Sequence, residues 1–487
     1  MSRIVAGPFN RVEGDLEITL DITENKVVSA EVNSPLYRGF ERILLGHKPM
    51  DALVYTPRIC GICSVTQSVA SARALADAMQ LSMPLNGELC TNLVLANENI
   101  TDLLTHFYLF FMPDFARDVY AQQDWFGEIH ARFKSTSGTA SAQMLPARAD
   151  FLHLMGIMAG KWPHTLSLQP GGVAKAIEAK ERIRLLAIIG SFKRFLETTL
   201  FGDELTTVAQ LSSEKDLWDW YEQQPWQSSD FRRFLHVARS LELQSLGRAT
   251  DQLLSYGAYR INGKNLWKEG CVLGGTAVPL DTQDIMEDHA YSWMSEPEKS
   301  HFPAEGVTVP SLDNEAGYSW CKSPRLNQQV VEVGPLARQV INGHPLAKDL
   351  VSRSGANVLS RIVARLLEIA IVVPQMEQWV KQIDPGAPFC HHGEMPSEAS
   401  GIGLVEAARG SLGHWLEVKQ GKIANYQIIA PTSWNFSPRD LASQPGALEQ
   451  AVVGRRCWKA RKRRCQFSTL SAHLILVWPV RCISVTL

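Results

Sequence analysis

Cys60 and Cys63, in the run Arg58-Ile59-Cys60-Gly61-Ile62-Cys63, have the types and spacing best suited to hold a metal. Thiolates are soft donors, and two of them three positions apart can face one nickel, iron, copper(I) or zinc ion. The same spacing also serves redox pairs and zinc half-sites. A four-thiolate site needs a second such pair, and the chain has none. Further polar residues sit in surroundings where chemistry is possible. Glu13 follows Arg11, Glu41 follows Arg38-Gly39-Phe40, and Asp102 stands four before His106, so that those two share a helix face. Arg409 adjoins Gly410, where backbone can approach a ligand closely, and Pro431-Thr432-Ser433 offers hydroxyl and amide donors. Taken singly, each has a plain structural reading: a surface ion pair for Glu13 or Glu41, a satisfied core histidine for His106, ordinary turns for the rest.

These residues need elements to position them. Residues 16–32 alternate (Leu16, Ile18, Leu20, Ile22, then Val28, Ala30, Val32) about a polar Glu24-Asn25-Lys26, which predicts a β-hairpin. From about residue 50 the apolar period becomes helical, most clearly over 87–111, 178–199 and 345–384. Pro374 should kink or end the last of these. Gly/Pro-rich irregular segments are expected at 160–173, 270–282 and 300–325, and a second β-like patch at 412–429 turning at Gly421-Lys422. The reading is one large domain over residues 1–454, mainly α with small β elements at both ends (α+β).

The formal net charge of −2 comes from 48 Lys+Arg against 50 Asp+Glu. Near neutrality argues against recruitment to nucleic acid. It conceals an asymmetry: residues 455–487 carry 8 Lys/Arg and no acid, leaving 40 basic against 50 acidic residues over 1–454. No stretch approaches the roughly 20 apolar residues of a membrane span, so no direct membrane insertion is expected. Nine cysteines are too sparse for a disulfide scaffold, and a cytoplasmic location is expected.

Taken together and in order, the segments 11–14, 37–41, 58–63, 105–108, 163–164, 170–173, 318–325, 332–338, 401–415 and 426–440 resemble the large subunit of nickel–iron hydrogenases. The resemblance covers about residues 5–454. It implies a helical-bundle core around a buried Ni–Fe centre whose iron carries CO and cyanide. It also implies a remote magnesium or iron site, and a partner small subunit holding the iron–sulfur clusters. Carried over by position, Cys60 would be a terminal nickel thiolate and Cys63 a thiolate bridging nickel to iron. Glu13 would be the first proton acceptor, and Glu41 a remote-site ligand. Arg409 would hang over the open coordination position, held by Asp102, with Gln67 and His106 behind the ligands. Pro431, Thr432 and Ser433 would line the iron's diatomic ligands. H2 would be the substrate.

Gln67 stands where most members have His, Asp15 where they have His, and Ala408 where many have Pro. These departures resemble the regulatory branch, which senses hydrogen and signals to a histidine kinase. That is the primary expectation. A respiratory uptake hydrogenase, membrane-associated through its partners, and a metal-free inactive scaffold are the alternatives. The scaffold reading arises because the family's second Cys-x-x-Cys, near the C-terminus, is missing. The composition of 455–487 is that of an out-of-frame translation. Residues 471–484 accept codons whose shifted frame reads Asp-Pro-Cys-Met-Ala-Cys-Thr-Val-His-stop, so the tail is read as a frameshift.

Overall fold

The computed structural model describes residues 2–9 and 15–454; Met1, residues 10–14 with Glu13 among them, and the tail 455–487 lie outside the described residues. The expected hairpin is present as β2 (Glu17–Thr23) and β3 (Lys26–Asn33), and the N-terminal β1 (Ser2–Ala6) adds a third antiparallel strand that sequence alternation did not show. Glu24 and Asn25 both take positive φ, the conformation of a tight hairpin turn whose twist matches the strands. Ile18, Leu20, Ala30 and Val32 point inward and pack on Phe436, Leu448 and Val452, so the two ends of the described chain share one small core.

The main core is helical. α1 (Ser64–Ala78) and α2 (Leu85–Thr105) are followed by α3 (Thr139–Ala159) and α4 (Ala179–Phe195). α2 is buried on nearly every side, as the central member of a bundle must be, and continues through a π-helical turn at His106–Phe111.

Three expectations are corrected here. The irregular segment 270–282 and the assignment of β structure to the chain's ends both overlook a central hairpin, β4 (Leu253–Ile261) with β5 (Lys264–Leu273). Residues 253–259 of β4 are all buried, so this strand shows no alternation of period two. Two further short strands, β6 (Ile285–Asp288) and β7 (Ser323–Leu326), pair antiparallel, and β7 begins inside the segment read as irregular at 300–325.

The stretch 345–384 is also two helices. After α5 (Pro335–Asn342), α6 (Pro345–Ser354) stops at Gly355, whose φ of 73° ends it, and Asn357 caps the new helix α7 (Val358–Gln382) by accepting the Ser360 N–H at 3.0 Å. Pro374 sits inside α7 without ending it.

The patch at 412–429 is part of a three-stranded antiparallel sheet, β8 (Ala399–Ala407), β9 (Gly410–Lys419) and β10 (Lys422–Ile429), followed by the short α8 (Pro431–Asn435). β8 lies directly on α1. A Cβ at Gly403 would come within 1.9 Å of the Ala70 carbonyl oxygen, so only glycine permits that approach. This contact sets the sheet's Arg409 turn against the start of α1, where the cysteines are.

Candidate functional site

Cys60 ends a short helical turn in extended backbone, and Cys63 caps the N-terminus of α1. The loop between them turns two amides inward: the N–H groups of Ile62 and Cys63 donate to Cys60 Sγ at 3.4 and 3.2 Å. The side chain of Arg409 arrives from the β8–β9 turn, with Nη2 donating to Cys60 Sγ at 3.6 Å, and its Nε lies 3.4 Å from Asp102 Oδ2 on α2. Both residues of that ion pair are buried. The Cys63 thiol donates to Cys60, which with the Arg409 charge and the two amides draws the Cys60 thiol down to about 6 against the cost of burial. Cys63 is pushed up by the same bond and by burial. At neutral pH the pair therefore holds one thiolate and one proton, in reach of a guanidinium.

The loop is anchored by a residue that sequence reading missed. Glu98 on α2 accepts the Val65 and Thr66 N–H groups at 2.9 Å each and the Trp162 indole N–H at 2.9 Å, serving as an N-cap for α1 from another helix. Burial pushes its carboxyl up to about 7 while those bonds oppose it. The sequence signal was an acid between Asn97 and Asn99, one turn before Asp102 on a helix buried on nearly every side.

One turn into α1, Gln67 Oε1 lies 2.9 Å from His414 Nε2, and His414 Nδ1 lies 2.8 Å from the Tyr426 hydroxyl. Burial holds His414 neutral, pushed down to about 3. His106 is buried one turn beyond Asp102 with its ring stacked on Phe111. Pro431, Thr432 and Ser433 open α8; the Ser433 hydroxyl is hydrogen-bonded to the thiol of Cys321, which burial pushes up to about 12.

Glu41 lies elsewhere, in a second buried cluster. Its Oε1 accepts the Ile428 N–H at 2.9 Å and lies 3.4 Å from Lys322 Nζ, which also donates to Glu287 at 2.8 Å, Gln427 at 3.1 Å and Thr308 at 3.3 Å.

Among the described residues no group of three or more His, Cys, Asp or Glu could enclose a metal by itself. The sulfur pair fits two positions of a soft-metal site, and its donors, one of them already a thiolate, suit nickel or iron. At the Glu41 cluster, Glu287 Oε1 is buried without a hydrogen-bond partner, an orphan that a hard cation would satisfy.

The model of the family described as "Nickel-dependent hydrogenase" matches residues 38–129 and 139–464. The chain belongs to that family. It is an α+β hydrogenase large subunit. The match runs past Gly454, where the sequence resemblance was expected to stop. Relatives of similar length include the periplasmic [NiFeSe] hydrogenase large subunit of Desulfomicrobium baculatum, 28% identical over 93% of this chain and 89% of that one. The uptake hydrogenase large subunit of Azotobacter chroococcum is also 28% identical, over 93% of this chain and 91% of that one. Among solved structures, the Ni-Fe-Se hydrogenase of D. vulgaris Hildenborough in the reduced state superposes with a TM-score of 0.81 at 27% identity, covering 99% of this chain and 100% of that one.

Proposed function

We propose that this large subunit splits dihydrogen heterolytically as an uptake-type hydrogenase, paired with a small subunit that carries the iron–sulfur clusters. One observation carries the site assignment: the Arg409 guanidinium placed over the Cys60 sulfur of a buried Cys-x-x-Cys. The relatives above are uptake and [NiFeSe] enzymes, which favours this reading over hydrogen sensing. Gln67, Asp15 and Ala408 are the residues behind the sensing reading, and no relative above is named for sensing or for a kinase.

In this reading Cys60 and Cys63 would hold the Ni–Fe group through their sulfurs. When bound, the Ni–Fe group, its iron carrying CO and cyanide, supplies the Lewis acid that polarises H2. The chain's own residues do the rest. Cys60 Sγ, with the Arg409 guanidinium beside it, is placed to take a proton. Arg409 is held by Asp102 and keeps a fixed positive charge beside that sulfur as protonation changes. Glu13 passes the proton outward, and Ser433 and Thr432 offer hydroxyl donors to the iron's ligands. Glu41 and Glu287 hold the remote cation. Membrane association would come through the partner, since no helix of the described residues is long and apolar enough to cross a bilayer.

The missing pair of thiolates belongs, in this proposal, to the shifted frame of 455–487. Nickel content and hydrogen-dependent dye reduction, measured on the heterodimer, test both parts. The chain as it stands should carry little nickel and turn over no hydrogen; the frame-restored chain should carry a nickel ion and reduce dye. No nickel in the restored chain overturns the site assignment. Full nickel in the unrestored chain overturns the frameshift.

A further inference from the structure

Behind Arg409 stands a second buried arginine that proton and hydride chemistry do not touch. Arg338 on α5 is 1% exposed. Its Nε and Nη2 grip Glu368 of α7 bidentately at 3.1 and 2.9 Å. Its Nη1 donates to Glu406 Oε2 at 2.7 Å and to the Ala407 carbonyl at 2.8 Å, and Nη2 reaches the Ala408 carbonyl at 3.4 Å. One planar fork thus holds the last two carbonyls before Arg409 and the side chain of the residue before them.

The rest of the turn is closed around this grip. The other oxygen of Glu406 accepts the Tyr256 N–H at 2.8 Å and the Ser411 hydroxyl. The Glu406 carbonyl accepts from Asn99 at 3.1 Å, on the same helix as Asp102. Gly410, at φ 134°, lies so close to Val333 that a Cβ would come within 2.4 Å of it.

Packing alone does not explain such a cluster. A buried guanidinium between two carboxylates pays a large desolvation cost, and apolar residues of equal volume usually serve stability as well or better. A guanidinium adds direction: five donors in a rigid plane, here spent on two carboxylates and two carbonyls. Lysine carries the same charge without that plane.

We propose that Arg338 is a positioning residue that sets the height and direction of Arg409 over the Cys60 sulfur. The catalytic consequence rests on the hydrogenase reading above; the effect on the turn does not.

The test compares Arg338→Lys, Arg409→Lys and the double variant in the frame-restored heterodimer. Arg338→Lys should lower kcat for hydrogen oxidation on the order of 100-fold with KM for hydrogen and nickel content unchanged. The double variant should be no slower than Arg409→Lys alone, because Arg338 acts through Arg409. Hydrogen–deuterium exchange supplies the readout that needs no metal: amides of 406–411 should exchange faster in Arg338→Lys, while those of 64–78 keep the wild-type rate. Multiplicative losses in the double variant, or unchanged exchange at 406–411, overturn the proposal. Absence of nickel in the restored wild type overturns the hydrogenase reading instead, and exchange then decides the positioning role. Should Arg338→Lys not fold, the pair Arg338→Gln/Glu368→Gln removes one buried charge of each sign and takes its place.

Discussion

Two buried polar clusters lean on the sheet β8–β10 and meet the cost of burial in opposite ways. At the Glu41 cluster the chain supplies its own cation: Lys322 Nζ is shared among Glu287, Gln427, Thr308 and Glu41 at 2.8 to 3.4 Å. At the thiol pair Arg409 stands 3.6 Å from the Cys60 sulfur, an ordinary length for N–H···S, and 3.4 Å from Asp102 Oδ2, a buried oxygen that accepts no hydrogen bond among the described residues. Bonding capacity used up is the mark of a joint. Capacity held in reserve is the mark of a site that takes a ligand. Glu287 Oε1 keeps the first cluster from being wholly a joint, since one carboxylate oxygen there still lacks a partner.

The comparison breaks most visibly if Lys322 is removed. Lys322→Met leaves two buried carboxylates, with Glu287 already pushed up by burial, and no internal cation. Breaking one partner out of a buried ionic group costs about 3–5 kcal/mol, so urea unfolding should show a loss of that size. Millimolar magnesium should stabilise both proteins through Glu41 and Glu287, and the variant by more, because it has lost its internal cation. A variant indifferent to magnesium would show that Glu41 and Glu287 do not form a cation site.

At the other cluster the largest effect should fall on rate and leave stability little changed. Arg409→Lys keeps the charge near Cys60 but loses the planar donor aimed at both the sulfur and Asp102. Loss of one oriented donor in a water-poor site costs on the order of 100-fold in rate. Hydrogen-dependent dye reduction should fall by that amount with nickel content unchanged. If nickel is lost too, Arg409 belongs to the joint and not to the chemistry.

How much of this was legible in the sequence differs between the clusters. Cys60 and Cys63 declare themselves by type and spacing, and the hairpin at 16–32 by its alternation. Asp102 and Arg409 could be paired only through the family resemblance, being far apart in the chain. Lys322 and Glu41 are separated by 281 positions and Glu98 and Thr66 by 32, and nothing local tells a lysine or glutamate that it will be buried. A charged residue's burial is decided by its partners, and the partners come from the tertiary fold. The central hairpin β4–β5 was hidden for the converse reason: a strand covered on both faces carries no polar beat. The break at Gly355 was readable, but the apolar run across it argued for one helix.

The smallest predicted effect probes the ground between the clusters, where Gln67, His414 and Tyr426 join α1 to the sheet. His414 is pushed by burial from its ordinary 6.5 down to about 3. Above pH 6.5 both folded and unfolded chains carry it neutral, and it contributes nothing to pH dependence. Below 6.5 the unfolded chain takes up a proton that the folded chain refuses until about pH 3, so stability is lost as pH falls through that window. At pH 5.5 the loss is about 1.4 kcal/mol. His414→Gln removes the titrating group while keeping a polar side chain between Gln67 and Tyr426. It should start less stable at pH 7.5, having lost the ring's packing, yet lose less on going to pH 5.5 than the wild type does. Urea midpoints at the two pH values measure this difference of differences. Parallel losses in the two proteins would mean that His414 is already solvated enough to protonate. The link between α1 and the sheet would then be a looser joint than the Glu41 cluster, and Gln67 would not be held rigidly behind the cysteines.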